Sequence, residues 1–356
     1  MAYRDTDVSI TLAGQKINPL SDIANLGIQT TGNVVFVKHP SDADYRTVKE
    51  SVGRAFLFDT IQAAIDSSKV RSGKNDFIIV CPRDDNTAWL PTGTPAAINL
   101  NKHNVHVVGL GATGAFGSAS VVVELPGTAG TIGTMGLLQI TGNNSGVTGF
   151  HFRGTAGTSQ GGTLGDGGDG GLVTIGAGVT GAYLDNFKLE KTGVQYDAGT
   201  TGVTGTPTGD IVVGSAAKDI VISNGLMIGT GLKASASHGI DLQFNNENIV
   251  VKNVTMIYNK DAAASRFIDA APGTANNALQ LMAERNKFIN TNGTLISSAF
   301  AGTMGVGFFS VMTENMVVRG TEVGTPGSTF VAPVYGTATV VKNPWIGIGT
   351  SALVSA

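Results

Sequence analysis

The residues of this chain best suited to catalysis are its carboxylates, because two placed carboxyl groups can act as acid and base on a glycosidic bond. Asp84 and Asp85 are the only adjacent aspartates, and Asp241, which follows His238 in an apolar run, is the best single candidate for an acid. Apart from the distant pair at 84 and 85, no Asp-Asp or Asn-x-Asp motif precedes His238. One carboxylate cannot serve as both acid and base, so we predict that the chain is not an enzyme.

Two glycine-rich segments carry weaker signals for ligand binding. Residues 109–114 match G-x-G-x-x-G, but only residues 115–118 separate them from the next strand-like run, too few for the helix that a dinucleotide site needs. Asp166 and Asp169, in GDGGDGG, could offer oxygens to calcium, although one copy of the motif favours a solvated loop. We predict no cofactor and no metal, and the sequence leaves open whether the Asp166/Asp169 loop binds calcium.

The histidines and the single cysteine do not form a metal-binding pattern. No two histidines stand four residues apart, and none lies near the cysteine, Cys81; the five are His39, His103, His106, His151 and His238. Strand alternation points His106 and His151 outward. A lone cysteine also excludes a disulfide within the chain.

The composition is typical of a repetitive β structure and excludes several classes of partner. The 356 residues include 50 glycines, and only 14% of the chain is charged. The net charge is −3 with no basic cluster, which argues against nucleic acid as a partner. No run approaches 18 apolar residues and the start lacks signal-peptide features, so we expect synthesis in a cytoplasm and no membrane insertion.

A repeat unit recurs along the chain: a turn residue followed by an apolar residue, any residue and a second apolar residue. Its turn residues are spaced 45, 37, 38, 29, 33 and 29 residues apart, as coils with loops of variable length would be, and they are Asn104, Gly149, Asn186, Asn224, Asn253, Asn286 and Asn315. Asparagine and glycine tolerate the left-handed backbone conformation of a sharp bend. We predict that these seven residues form one ladder along an edge of a solenoid.

The alternation beside each turn predicts one inward row of side chains: Phe150, Phe187, Leu226, Val254, Phe288 and Met316. Apolar-poor segments at 154–171, 193–209 and 259–276 are predicted to be surface loops. One such coil cannot bury its row, whereas stacked coils form a continuous core. The alternative is a sandwich of unrelated antiparallel hairpins, which would also give many short strands.

The two ends of the chain differ from the repeat. Residues 1–57 are predicted to be an N-terminal arm and first strand, 58–320 the solenoid, and 321–356 a charge-poor C-terminal segment for assembly or capping. Thr60 and the residues after it are typical of a helix start, with Ile61, Ala64 and Ile65 on the apolar face. We expect this short helix to cap the solenoid.

The order of elements in residues 33–111, with NVVFVKH, FDTIQAAIDSS, DFIIVCP and AAINLNKHNVHVVGLG, resembles the start of pectate-lyase-like right-handed parallel β-helices, especially those of bacteriophage particles. The resemblance implies an all-β, right-handed parallel β-helix. Polygalacturonases of similar fold carry a His-Gly step and an Arg-x-Lys step, which His238-Gly239 and Arg285-Asn286-Lys287 match. Their carboxylate motifs have no match here, which counts against activity.

The resemblance also implies a virion structural protein. Our first expectation is a capsid cement or decoration protein, assembled in the host cytoplasm as a homotrimer that contacts the major capsid protein. The alternative is a tail spike or fibre module that binds host glycan, and the second alternative is a polysaccharide hydrolase or lyase that uses Asp241. Aromatic residues make up only 6% of the chain, which favours decoration over a glycan groove.

Overall fold

The computed structural model describes the coils of the protein together with both helices near its start. The described residues are 10–12, 15–17, 32–84, 87–91, 97–111, 121–124, 137–154, 163–164, 168–169, 172–192, 209–230, 238–243, 245–258, 266–270, 281–290, 300–303, 310–319, 331–334, 339–342, 344–347 and 354–355. Within them, no helix is long and apolar enough to cross a membrane.

Strands dominate, and the α-helices are α1 (Tyr45–Val52) and α2 (Ile61–Asp66), with a 3-10 turn at Arg54–Phe56. In chain order the strands are β1 (Ile10–Leu12), β2 (Gln15–Ile17), β3 (Val34–Val37), β4 (Leu57–Phe58), β5 (Asp76–Val80), β6 (Ile98–Leu100), β7 (Val105–Gly109), β8 (Val121–Glu124), β9 (Leu138–Ile140), β10 (Gly146–Thr148), β11 (Phe150–Gly154), β12 (Thr163–Leu164), β13 (Gly168–Asp169), β14 (Val173–Ile175), β15 (Tyr183–Thr192), β16 (Gly209–Val213), β17 (Lys218–Thr230), β18 (His238–Leu242), β19 (Glu247–Lys252), β20 (Thr255–Tyr258), β21 (Arg266–Ala270), β22 (Leu281–Glu284), β23 (Lys287–Asn290), β24 (Phe300–Thr303), β25 (Ser310–Thr313), β26 (Met316–Arg319), β27 (Val331–Val334), β28 (Thr339–Lys342), β29 (Pro344–Gly347) and β30 (Val354–Ser355).

Three faces of parallel strands form the solenoid. Face A is the sheet β6, β9, β14, β16, β18, β21, β24 and β27. Face B runs from β3 through β5, β7, β10, the first halves of β15 and β17, β19, β22, β25 and β28. Face C contains β8, β11, the second halves of β15 and β17, β20, β23, β26 and β29. The predicted fold class, an all-β parallel β-helix with a short N-terminal capping helix, is confirmed, and the antiparallel sandwich is excluded.

Residues with a left-handed backbone form three ladders at the corners between the faces. At the corner between faces B and C they are Gly149, Asn186, Asn224, Asn253, Arg285 and Glu314; at the corner between A and B they are Asn75, Asn104, Asn144, Gly181, Asp219 and Asn248; and a third, shorter ladder at the end of face A holds Gly178, Ala216 and Asn245. Their φ angles lie between 46° and 82°. A sharp bend between two strands therefore requires the left-handed conformation at the same position of successive coils.

The register corrects the predicted single ladder of seven turn residues. Gly149, Asn186, Asn224 and Asn253 share one corner, whereas Asn104 lies on the ladder between faces A and B. Asn286 and Asn315 stand one position further along, because Arg285 and Glu314 occupy the left-handed corner before them. Sequence spacing alone does not separate two corners of one coil that both favour asparagine.

Asn286 and Asn315 are buried and bind the backbone of neighbouring coils. The Asn286 Nδ2 group donates to Asn315 Oδ1 at 2.8 Å and to the carbonyl of Val251 at 2.9 Å. Asn286 Oδ1 accepts from the N–H of Val254 at 2.9 Å, and Asn315 Nδ2 donates to the carbonyl of Ala283 at 2.9 Å. Buried amides are stable only when they are hydrogen-bonded, and these two satisfy backbone groups that the bend leaves without sheet partners.

The predicted inward residues do not form one stack. Phe187 and Val254 belong to one inward row, whereas Phe288 lies in the next inward row, in register with Met256. Phe150, Phe187, Val254 and Phe288 are buried, whereas Leu226 is half-buried and pairs with Lys188 on the outer side. Gly225 holds the inward position beside Phe187, and a Cβ atom on Gly225 would fall on the Phe187 ring. The prediction was wrong for Leu226 because Gly225 takes the inward position directly after the corner residue, as Phe187 does on the neighbouring coil. Met316 pairs with the exposed Lys287, so its position belongs to the outward row and not to the predicted inward one; its side chain lies outside the described residues.

Helix α2 begins where the sequence predicts. The Thr60 side chain accepts the N–H of Ala63 at 3.1 Å, and Ile61, Ala64 and Ile65 are buried in the main core. Helix α1 was not predicted; Val48 on this helix packs on a second cluster that contains Phe36, Phe77 and Ile79 on the outer side of face B. Both helices therefore cover the first coils.

Strand pairing also bears on the predicted loops and on the ends. Residues 266–270, placed in the predicted loop 259–276, form β21 with Phe267 and Ile268 buried, so that boundary was wrong. The short β12 and β13 pair within the predicted loop 154–171. The division at residues 57 and 320 stays a prediction, and parallel pairing continues beyond both positions, from β3 to β4 and from β26 to β29.

The third ladder gives a test of the corner constraint. Ala216 is exposed and has a φ of 58°, while its ladder neighbours are Gly178 and Asn245. The left-handed conformation is sterically less favourable for alanine than for asparagine. We therefore expect Ala216→Asn to raise the free energy of unfolding by about 0.5–1 kcal/mol. Urea unfolding measures the change. Ser215→Asn, one residue away and outside the ladder, is the control, and equal stabilisation by both variants would contradict the argument.

Candidate functional site

The outward row along the middle of face A is the first candidate site, because it brings polar side chains from successive coils into one line. Its members, related strand by strand in the parallel register, are Asn99, Gln139, Thr174, Val212, Asp241 and Asp269. The residues on either side point inward; Ile240 and Leu242 flank Asp241, and both are fully buried in the core. Alternation along a strand therefore sets the direction of the whole row.

Asp241 and Asp269 form a carboxylate pair within this row. They are direct partners in the register of β18 and β21, so their Cα atoms are separated by one strand spacing, about 4.8 Å. Asp241 is 4% exposed and Asp269 is 9% exposed. The Gln243 side chain donates to Asp241 Oδ2 at 2.9 Å, which holds that carboxylate in place.

Sequence reasoning named Asp241 and missed Asp269. The second aspartate lies in the segment that was interpreted as a loop, so its pairing with Asp241 was not visible. The signal that could have found it is the matching pattern of the two strands, HGIDL and RFIDA, which repeats an aspartate after an isoleucine at a spacing of 28 residues.

The N-terminal part of the row holds polar atoms that lack hydrogen-bond partners. Thr174 is 1% exposed, and its Oγ1 atom, like Asn99 Oδ1 and Gln139 Oε1, has no partner. Buried polar atoms without partners are costly, so they are uncommon in a stable fold. Val212 separates these three residues from Asp241 and Asp269, so the row has two polar parts. Hydroxyl, amide and carboxylate groups are the groups that bind sugar hydroxyls.

Chemically, the pair meets one requirement of glycoside cleavage and leaves another unmet. Retaining glycosidases hold two carboxyl groups about 5–5.5 Å apart, which is close to one strand spacing. A catalytic pair must also reach its substrate, and these two aspartates are almost fully covered. The geometry therefore supports binding of a substrate at this face only if the residues that bury the two aspartates move.

The other sequence candidates do not join this row. Asp84 lies in the N-terminal region, where it takes part in a network around Lys38, and Asp85 lies outside the described residues. Asp166 is also outside them, and Asp169 is in the short strand β13. Gly109 ends strand β7, where a Cβ atom would meet the carbonyl of Gly149 on the next coil, so its glycine is explained by close packing of two corners.

The Lys38 network is a buried cluster of charges that fixes the first coils. Lys38 is 1% exposed, and its ammonium lies 2.9 Å from Asp44, 3.2 Å from Asp42, 3.3 Å from Asp84 and 3.0 Å from the carbonyl of Pro82. Burial opposes the charged form, but hydrogen bonds to Asp44 and Asp42 outweigh it and raise the pKa of Lys38. Arg83 binds the other oxygen of Asp42 at 3.0 Å. Paired buried charges of this kind position a loop more than they stabilise it.

A second polar cluster lies on the outer side of face C. His151 Nε2 is 3.0 Å from Glu190 Oε2, Lys188 Nζ is 2.7 Å from the same oxygen, and Arg153 binds Glu124. Burial opposes ionisation of Glu190, yet its hydrogen bond from Lys188 lowers its pKa. Arg153 and Glu124 thus pair opposite charges on neighbouring strands, and Lys188 and Glu190 pair them within strand β15.

The prediction that His106 and His151 are surface imidazoles holds only in part, because His106 is half-buried and His151 is buried. The His106 ring lies between Phe77 and Tyr183, at centroid distances of 4.7 and 5.8 Å, and its two nitrogens contact Asn75 Oδ1 and Tyr183 Oη at 2.7 and 2.9 Å. Burial lowers the pKa of His106. Within the described residues, no group of three or more metal-ligating side chains gathers around either histidine or elsewhere.

The burial of His151 predicts a pH dependence of stability. Burial, with the charges of Lys188 and Arg153, lowers the pKa of His151 from 6.5 to about 4. The unfolded chain therefore binds the proton more readily than the folded protein, and the contribution of His151, complete above pH 6.5, is lost as the pH falls towards 4. We expect this loss to be on the order of 3 kcal/mol.

Urea unfolding of the protein and of His151→Gln at pH 7 and pH 4 measures this contribution. Titrating groups away from His151 cancel in the difference between the two proteins, and Gln can keep a hydrogen bond to Glu190, which limits the change at that carboxylate. The unchanged protein should lose more stability than the variant. Equal losses would contradict the assignment of the shift to His151.

Comparison with solved structures finds two that align with most of this chain. ORF18 of Geobacillus virus E2 is 13% identical, with 98% of this chain and 69% of that chain covered and a TM-score of 0.44. A mutant tailspike protein of E. coli bacteriophage HK620 in complex with a pentasaccharide is 14% identical, with 91% of this chain and 60% of that chain covered and a TM-score of 0.27. No family model and no curated protein matches the sequence.

Proposed function

We propose that the protein is a non-enzymatic structural component of a bacteriophage particle, and within that class a capsid cement or decoration protein. The observation that carries the proposal is the parallel pairing of successive coils among the described strands from β3 to β29, with one apolar core that extends from Val35 to Phe288. The sequence resemblance of residues 33–111 to β-helix proteins of phage particles supports the same class.

The pairing favours a mechanical role because it leaves the coils no freedom to slide or bend. Inner strands such as β15 and β17 pair on both sides, and the described inward side chains up to Phe288 belong to one core cluster. The corner ladders fix where every coil turns. A rod of this kind can hold two parts of a particle at a set distance.

The proposal includes partners at both ends of the rod. We expect a homotrimer, in which residues 321–356 contribute to contacts between subunits and residues 1–32 contact the major capsid protein. Support comes from the sequence: the C-terminal segment has only two charged residues, Glu322 and Lys342, with Phe330, Tyr335 and Trp345. Closed symmetry would bury such a segment at modest cost.

Purified particles of the phage that carries this gene test the structural role. Mass spectrometry should find the protein in the particles in a fixed ratio to the major capsid protein, and gold-labelled antibody should mark the shell in electron micrographs. A label confined to the tail would contradict decoration and favour the tail spike. A protein missing from purified particles would overturn the structural role.

Glycan recognition is the second candidate, in a tail spike or fibre or in a polysaccharide hydrolase or lyase. The specific observation in its favour is the row on face A, which aligns Thr174, Gln139 and the pair Asp241 and Asp269. Sugar hydroxyls bind such groups, and two carboxylates are the minimum for glycoside cleavage.

Incubation with acidic and neutral polysaccharides, with and without calcium, separates the two candidates. We expect no new reducing ends and no unsaturated products from the protein. Turnover that falls at least about 100-fold in both Asp241→Asn and Asp269→Asn would instead establish the enzyme, since each carboxylate would have its own role. Asp219→Asn is the matched control, because Asp219 occupies a left-handed corner where asparagine fits equally well.

A further inference from the structure

In the first strand of face A, the backbone groups of one residue, Asn99, have no neighbouring strand to bind. A side chain forms hydrogen bonds with them instead. Strand β6 is the terminal strand of this sheet. On its paired side, the N–H of Ile98 donates to the carbonyl of Leu137 at 2.9 Å and the carbonyl of Leu100 accepts from the N–H of Thr141 at 3.0 Å. The N–H and carbonyl of Asn99 therefore point the other way, towards helix α2.

Gln62 on helix α2 binds both of these backbone groups. Its Oε1 atom accepts the N–H of Asn99 at 2.8 Å, and its Nε2 atom lies 3.4 Å from the carbonyl of Asn99. A primary amide carries the same donor and acceptor as a peptide group. The Gln62 side chain thus stands in the place of one residue of a neighbouring strand.

The helix holds Gln62 firmly in this position. Thr60 caps the helix start, and Ile61, Ala64 and Ile65, on the face next to Gln62, are buried in the solenoid core. The Gln62 Nε2 group also donates to Asp66 at 2.9 Å, one turn further along. These contacts fix the amide before any partner approaches.

The first strands of the other two faces are closed in different ways. On face C, the N–H of Trp89 donates to the carbonyl of Val122 at 2.7 Å and its carbonyl accepts from the N–H of Glu124 at 2.9 Å. On face B, the two-residue strand β4 pairs with β3. All three faces of the described solenoid therefore begin with a short closing element in place of a free strand.

We propose that the Gln62 amide prevents a second copy of this chain from adding a strand to the N-terminal edge of face A. The complementary surface is the opposite end of the same sheet, where β27 pairs with β24 alone among the described strands. A joint between these two ends would be head-to-tail and would not close, so it would grow into filaments. Gln62 keeps the solenoids separate at this end.

The full-length variant Gln62→Met tests the proposal, because methionine keeps the length and the helix propensity and removes both hydrogen-bonding groups. Hydrogen exchange of the Asn99 amide should become at least about 10-fold faster, while the Ile98 amide, which binds Leu137, should keep its protection. Light scattering should show a mass that rises with concentration. The unchanged protein should keep one mass over the same range.

Two further variants complete the design. Asp66→Ala removes one contact that holds the Gln62 amide but keeps both groups that bind Asn99, so exchange at Asn99 should rise less than in Gln62→Met and the mass should not grow with concentration. Gln62→Ala replaces Gln62→Met if unfolding curves show that the latter does not fold. Unchanged exchange at Asn99 would overturn the hydrogen-bonded closure, and faster exchange without growth in mass would overturn its role against strand addition.

Discussion

Parallel hydrogen bonding from coil to coil requires that each residue stack on the residue at the same position one coil away. Strands about 4.8 Å apart leave no room for a residue out of register, so the corners of successive coils must bend at equivalent positions. This explains why left-handed residues fall into ladders, and why Arg285 and Glu314 adopt a conformation that their side chains disfavour. The neighbouring coils impose the bend on them.

The same stacking decides what the inside and the outside of the solenoid can hold. Inside, the Phe187 ring fills the space above Gly225, and Asn286 and Asn315 use their amides to satisfy backbone groups next to the corner. On the outer side of face C, Arg153 and Glu124 form an ion pair, so their charges cancel. Stacking also places Asp241 beside Asp269, so that two carboxyl groups occupy equivalent positions on successive coils. Its burial makes this pair the most unusual feature of face A.

At the start of the solenoid, groups outside the repeat must bind the backbone of the first strands. The first coils have no preceding coil to satisfy their backbone groups, and the protein meets this need with Gln62, Trp89 and the short strand β4. The buried Lys38 network joins the loop before α1 to the loop after β5. Such closures differ from one another because each face presents a different number of free groups. The repeat itself therefore cannot supply them.

The sequence alone determined the fold class and the capping helix, because the spacing of turn residues and apolar pairs reflects local bending and burial that any stacked coil needs. It placed Gly149, Asn186, Asn224 and Asn253 as turn residues, since asparagine and glycine report a left-handed bend directly. The sequence did not reveal the register between coils. Asn104 lies at another corner, Asn286 follows the corner residue Arg285, and Gly225 takes the inward position predicted for Leu226. Strand β21 was taken for a loop, so the partnership of Asp269 with Asp241 emerged only from the fold. These features depend on which residue of one coil lies beside which residue of the next, and only the tertiary structure decides that pairing, because it joins residues that are 28 or more positions apart in the chain.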